Sequence, residues 1–204
     1  MRLHTKVLLV VIPLAVIPLL ILGWLAYAQL RSTAIERSSN EMTNLMDQMS
    51  RNFKIHQDVA TANVKLFADA SLMRAYALTE DEEDRYVLML PSLLKLFSSY
   101  LRAYPHYSEI RYLLPDGYED ARSTLTAITN NSEDEANTAF FNALSHFDGE
   151  TMTYVSTPAE YETIALQVAK PIKLINLTTQ DPLNSTPILR GYLVVTMQLD
   201  FMAK

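Results

Sequence analysis

The stretch Tyr107-Ser-Glu-Ile-Arg-Tyr-Leu-Leu-Pro-Asp-Gly-Tyr-Glu-Asp-Ala-Arg-Ser-Thr124 decides the fold. Residues from Tyr107 to Leu114 alternate between two faces, with Ile110, Tyr112 and Leu114 on one and Glu109, Arg111 and Leu113 on the other. Pro115-Asp116-Gly117 is a turn, and Tyr118 to Thr124 reads as the returning strand, with Tyr118, Asp120 and Arg122 on one side. Downstream, Ser132-x-x-Glu135 matches a capping box opening a helix through about His146. Three further strands are expected over Thr151–Ser156, Thr163–Leu174 and Ile188–Leu199, with a polar loop between the last two. Upstream, Thr79-Glu80-Asp81-Glu82 is another capping box, opening a helix to about Arg102 that Pro91 kinks or restarts. Helices followed by hairpin-like strands give an α+β class, a five-stranded antiparallel sheet flanked by helices.

Outward towards the N-terminus, the chain changes character. Val7 to Ala28 is a 22-residue stretch without charge. At ~1.5 Å per residue it spans about 33 Å, enough to cross a bilayer core. Arg2 and Lys6 precede it, and Trp24 and Tyr27 stand near its far end, so residues 1–6 are expected in the cytoplasm and residues 29–204 outside. The rival reading is a cleaved signal peptide, for which Ala26-Tyr27-Ala28 has small-x-small character. The apolar run is longer than a signal core and lacks a polar cleavage region, which favours a retained anchor at 7–28. From Gln29 to Leu78 there is neither Gly nor Pro, which predicts a long rigid helix of roughly 75 Å. Ile35, Met42, Met49, His56 and Asn63 recur at heptad spacing, as do Ser39, Met46, Phe53, Ala60 and Phe67. The early part of this stripe is a candidate homodimer seam and the later part a buried face.

Residues 79–204 remain for one domain of roughly 125 residues. The formal charge of −6 argues against nucleic acid, which requires clustered Lys and Arg. Cysteine is absent and only four glycines occur, Gly23, Gly117, Gly149 and Gly191, so no disulfide framework or Gly-rich phosphate loop exists. His106 and His146 fall in separate segments, no histidine pair has metal spacing, and no nucleophile motif accompanies them, so neither catalysis nor a cofactor is expected.

Several stretches together resemble the periplasmic Cache (PAS-like) sensors of bacterial signalling proteins. They are Met1–Val7 with Ile17–Trp24, Ala103–Tyr112, Pro115–Arg122, and the closing strand Gly191–Phe201. The resemblance covers nearly all of the chain and implies a ligand-sensing input domain in the bacterial inner membrane. Its sensor would lie in the periplasm and feed a diguanylate cyclase, phosphodiesterase, histidine kinase or chemoreceptor output beyond Lys204. The tandem form of the family adds a second, smaller sheet domain, which this sequence lacks. Its amino-acid-binding members carry an Arg-x-Trp-Tyr motif that is also missing, so amino-acid sensing is not carried over. The competing expectation is a free-standing membrane-anchored or secreted small-molecule binding protein.

The residues themselves offer a pocket. Arg111 and Arg122 on neighbouring strands form a guanidinium pair suited to a small carboxylate. The bland alternative is that they pair with Glu109, Glu119 or Asp120 on a solvated face. Tyr112, Tyr118, Tyr154 and Ser156 are the candidate polar partners around them. Lys170, next to Pro171, is expected at a bend or edge of the fourth strand, exposed on the surface.

Overall fold

A computed structural model describes residues 3–125, 134–156, 164–175 and 186–199, with side chains from residue 17 onward except 34 and 35. The chain divides into two compact units, Met1–Asn52 and Phe53–Lys204. In chain order the elements are α1 (Leu3–Ala68), α2 (Ser71–Leu78), a π-helical turn (Asp84–Met89), α3 (Leu90–Ala103), β1 (Tyr107–Leu113) and β2 (Glu119–Thr124). These are followed by α4 (Ala139–Ser145), β3 (Met152–Ser156), β4 (Ala165–Leu174) and β5 (Ile188–Gln198).

The first unit is helical. Ile17 to Leu30 and Met42, Leu45, Met46 and Met49 present large apolar side chains to solvent. Among the described residues no helix is long and apolar enough to cross a membrane. The expected anchor begins at Val7, and the side chains of 7–16 lie outside the described ones.

In the second unit all five strands form one antiparallel sheet in the order β2-β1-β5-β4-β3. The last turns of α1 with α2 and α3 cover one face. Leu93, Phe97 and Leu101 of α3, spaced one turn apart, are each fully buried. They meet Val64, Phe67, Met73 and Tyr76 over Ile110, Tyr112, Val168, Leu193 and Val195 of the sheet. Full burial of each Val, Leu, Ile, Phe or Met side chain among them is worth about 1.5–3 kcal/mol. The other face carries α4, whose Phe140, Phe141 and Leu144 pack on Leu113, Met152, Ala169, Tyr192 and Val194.

Three local expectations are corrected. The long helix does not run unbroken to Leu78: it ends at Ala68, and Ala70 takes an extended conformation at the start of α2. Tertiary packing makes this break, since Phe67 stacks on Tyr100 at 3.7 Å while Met73 and Tyr76 turn down onto the sheet. Thr79 does not open the next helix. Its hydroxyl donates to Ala75 O at 2.9 Å and closes α2, and Asp81 instead accepts from Asp84 N at 2.9 Å. Pro91 then falls in the first turn of α3, where a missing N–H costs nothing. The third correction is the start of α4, capped by the Thr138 hydroxyl, which accepts from Phe141 N at 3.1 Å. Ser132 of the expected capping box lies outside the described residues, as does the loop over 176–185.

The hairpin forms as read. Gly117 adopts φ +96°, its N–H donates to Leu114 O at 3.0 Å, and Leu114 N–H donates to Tyr118 O at 2.8 Å. One feature of β2 breaks the simple alternation. Tyr112 faces Ala121 but Leu113 faces Glu119, so Asp120 sits in a β-bulge.

Candidate functional site

The register of the sheet aligns one polar residue from every strand. Tyr154 of β3 is opposite Gln167 of β4, Gln167 is opposite Thr196 of β5, Thr196 is opposite Glu109 of β1, and Glu109 is opposite Thr124 of β2. The three central members are buried, although the strands carrying them are otherwise largely apolar. This row lies on the α4 side of the sheet. The next rung on the same face pairs Arg111 with Arg122.

Glu109 organises the cluster. Its Oε1 is 2.7 Å from Arg111 Nε and accepts from the Thr196 hydroxyl at 3.3 Å, and its Oε2 accepts from Arg122 Nη2 at 2.6 Å. Arg111 is 1% exposed. It also donates to Glu135 at 2.5 Å and to Gln167 Oε1 at 3.2 Å, and its guanidinium carbon lies 6.0 Å from the Phe140 ring centroid. Arg122 Nη1 reaches Glu119 Oε1 at 3.5 Å. The other Glu119 oxygen is buried without a hydrogen-bond partner, 3.6 Å from Arg111 Nη1.

Burial pushes the Glu119 carboxyl above the usual carboxylate range. The Arg122 and Arg111 guanidiniums oppose that shift, while Glu109 and Glu135 add to it. A carboxyl raised on folding favours the native state at low pH, and this contribution is lost as pH rises through its native pKa. Glu119→Gln should therefore raise the melting temperature at pH 7.5, and the gain should shrink towards pH 4. A variant that melts lower at pH 7.5 would show that the charged form is stabilising.

The six residues singled out from sequence do not all meet. Arg111 and Arg122 are neighbours, and Tyr154 shares their face, packing edge-on against Phe140 at 5.5 Å between centroids. Ser156 lies on the same face, fully buried, with its hydroxyl donating to Ala165 O at 3.0 Å. Tyr112 points to the helical side, where its hydroxyl donates to Arg190 O at 2.6 Å and its ring meets Tyr76 edge-on. Tyr118 stands beyond the turn, 43% exposed, and bridges Asp134. Both arginines are engaged by carboxylates of the chain itself, as in the alternative reading, but Arg111 and Glu109 are buried rather than on a solvated face.

The expected grouping of Asp120 with Arg122 is corrected by the bulge. Asp120 turns to the helical face, where it accepts from Tyr86 OH at 2.5 Å and Arg85 at 3.3 Å. Burial and this carboxylate together push the Tyr76 phenol far up. Lys170 is not exposed at a strand edge as expected: it lies within β4, between β5 and β3, opposite Leu193, and its half-buried side chain pairs with Asp69 at 3.2 Å. His56 and His106 meet edge-on at 5.1 Å, and burial with the neighbouring imidazole holds His56 low. Among the described residues no group of three or more His, Cys, Asp or Glu side chains could hold a metal ion.

Gln167, Thr196 and Glu135 complete the cluster and were not singled out from sequence, whereas Glu109 and Glu119 are carboxylates already named as partners of the arginines. The available signal was a polar residue inside an apolar strand, Gln167 and Thr196 above all. A separate cleft of about 310 Å³ lies beside Asp69, Asp148, Glu150, Lys170 and Lys173. Asp69 and Glu150 there are well exposed, unlike the buried groups of the row.

No family model matches the sequence, and no curated relative matches it. Solved structures do resemble it. The extracellular domain of the histidine kinase candidate vpHK1S-Z8 has a TM-score of 0.59 at 18% identity, over 82% of this chain and 59% of its own. A domain of a sensory box/GGDEF family candidate from Vibrio parahaemolyticus gives 0.62 at 18% identity, over 82% and 62%. The sensor domain of the V. cholerae histidine kinase DctB gives 0.56 at 15%, over 80% and 57%. The chain spans about three fifths of the length of these structures. With its β2-β1-β5-β4-β3 sheet and packed helices, the chain has the Cache (PAS-like) fold of these sensor domains.

Proposed function

We propose that this chain is the extracytoplasmic ligand-sensing input domain of a bacterial membrane-bound signal transduction protein. The observation that carries the proposal is the polar row across all five strands, whose three central members, Glu109, Gln167 and Thr196, are buried. A sheet face that only needed stability would be filled with apolar side chains, because buried charges repay their desolvation poorly. Retaining Glu109, Gln167 and Thr196 beside two arginines suits a face that recognises a small polar ligand. The sensor fold supports the same reading. In this account residues 7–28 are the membrane anchor, and a cytoplasmic output such as a diguanylate cyclase or histidine kinase follows.

The bulge supplies a route for the signal. Glu119 and Asp120 are adjacent in sequence but serve opposite faces, the first the arginine cluster and the second Arg85 and Tyr86 of the π-helical turn. A ligand that draws on Glu119 shifts Asp120 and the helices packed over it, and α1 carries the shift onward. A few kcal/mol of differential affinity is enough to bias two such states.

A thermal-shift screen of small polar metabolites on the full chain tests the sensing role, and at least one should raise the melting temperature by several degrees. A flat response to acids, amines and sugars alike would remove it. For topology, a reporter fused after Leu30 should lie outside the cytoplasm and stay with membranes after carbonate washing. Release of a mature protein starting at Gln29 would establish cleavage instead.

For assembly, Met42 and Met49 are 67% and 46% exposed and one heptad apart, which suits a homodimer seam. Met42→Glu with Met49→Glu should abolish a dimer detected by sedimentation and leave the sheet folded. A monomer at tens of micromolar before mutation would dismiss the seam.

A further inference from the structure

We propose that the ligand is an organic cation, with an ammonium or guanidinium group that donates to the unpartnered oxygen of Glu119. The inference rests on the sensing role proposed above and names the ligand class of the same face. The cluster holds three carboxylates, Glu109, Glu119 and Glu135, against two guanidiniums, Arg111 and Arg122. One negative charge is left over in a site where the side chains of Glu119, Glu109 and Glu135 are 7%, 0% and 3% exposed.

Among the described residues no Lys or Arg other than Arg111 and Arg122 forms an ion pair with these three carboxylates. Lys170 pairs with Asp69 and Arg190 with Glu80.

The second observation is independent of the charge balance. Glu119 Oε2 is buried and has no hydrogen-bond donor, with Arg111 Nη1 beyond bonding distance at 3.6 Å. A buried carboxylate oxygen without a donor is costly, and the deficit is a missing N–H or O–H. A carboxylate ligand fits this site poorly. Both arginines already hold glutamates at 2.5–2.7 Å, and an incoming acid would add a second surplus negative charge. A metal ion would need carboxylate oxygens now committed to the arginines, whereas an ammonium N–H adds to a free lone pair. Tyr154, Gln167 and Thr196 lie along the same face as neutral partners for the rest of such a molecule.

The proton is the natural competitor of this cation. Burial favours the neutral form of Glu119, and the groups facing it are Arg122, Arg111, Glu109 and Glu135. Cation binding should therefore weaken as pH falls, because protonation removes the acceptor charge. Acid binding to arginines would keep or gain strength over the same range.

The test is calorimetric titration and thermal shift of the full chain in detergent. The probes are putrescine, agmatine and ethanolamine against succinate, pyruvate, glucose and calcium chloride. At least one amine should bind at pH 7.5 and weaken at least tenfold in Glu119→Gln, with Glu150→Gln as the unaffected control. Its affinity in the parent chain should fall between pH 7.5 and 5. Binding of succinate or pyruvate that depends on Arg122, with no amine bound, overturns the cation and leaves the sensing role standing. A calcium response without an amine response likewise overturns it, as does amine binding that Glu119→Gln and low pH leave unchanged. Silence from every probe fails both readings.

Discussion

Replacing Arg111 by Met should destabilise the folded domain by about 3–5 kcal/mol, the usual cost of removing one partner from a buried ion pair. The guanidinium is 1% exposed and holds Glu109 and Glu135 at 2.7 and 2.5 Å. Without it, both carboxylates stay buried with diminished compensation, and Gln167 loses a donor. Set against a typical domain stability of roughly 5–15 kcal/mol, this is a large share. Urea unfolding followed by circular dichroism reads it as a fall in the midpoint at constant slope. Adding Glu135→Leu to Arg111→Met should recover part of the loss, because the surplus charge goes with it. Arg122→Ala should cost less, since its side chain is 18% exposed and water reaches the exposed part of the pair. Equal losses at the two arginines would show that burial does not set the cost.

Gly191→Ala is the second large effect, expected at about 3 kcal/mol. Gly191 has φ +151° in β5, and a Cβ there would stand 2.4 Å from Leu113 O and 2.7 Å from the Tyr112 ring and hydroxyl. The backbone atom cannot give way without disturbing the β1–β5 ladder. The Tyr112 hydroxyl is itself fixed to Arg190 O, so the side-chain contact is not free to swing aside. Gly23 offers the contrast: a Cβ at that position would meet nothing within 4 Å, and Gly23→Ala should leave the melting temperature of the sheet domain unchanged. A Gly191→Ala variant as stable as the parent would mean that β5 can shift its register at that point.

Much of the second unit is readable because strands advertise themselves locally. The hairpin from Tyr107 to Thr124 and the three later strands appear within one or two residues of their expected ends, since alternation and turn residues are properties of neighbours in sequence. The break at Asp69–Ala70 is not of this kind. No Gly or Pro marks it, and it exists because Phe67 finds Tyr100 and Tyr76 finds the sheet. Thr79 and Asp81 both suit a helix start, and only the packing of α2 decides that Thr79 ends one helix while Asp81 begins another.

The candidate site is legible in part for the same reason. Arg111 and Arg122 stand out because they flank a recognisable turn at a register the hairpin fixes. Gln167 and Thr196 come into line with Glu109 only through pairings between distant strands. Asp120 escapes its expected face because a single extra residue enters β2, and alternation has no local sign for a bulge. Glu135 reads as a helix-capping acid, and its side chain instead meets Arg111 across 24 positions of sequence.

The central claim is that a small ligand is held on the α4 side of the sheet, against the polar row. Hydrogen exchange of the full chain, with and without a compound found to stabilise it, tests this most directly. Protection should rise in peptides covering 107–113, 119–124 and 165–174, with a smaller change in 84–89 beyond the bulge, and none confined to 17–52. Protection limited to residues 17–52, or to α2 and α3 with β1 and β2 unchanged, would contradict the account.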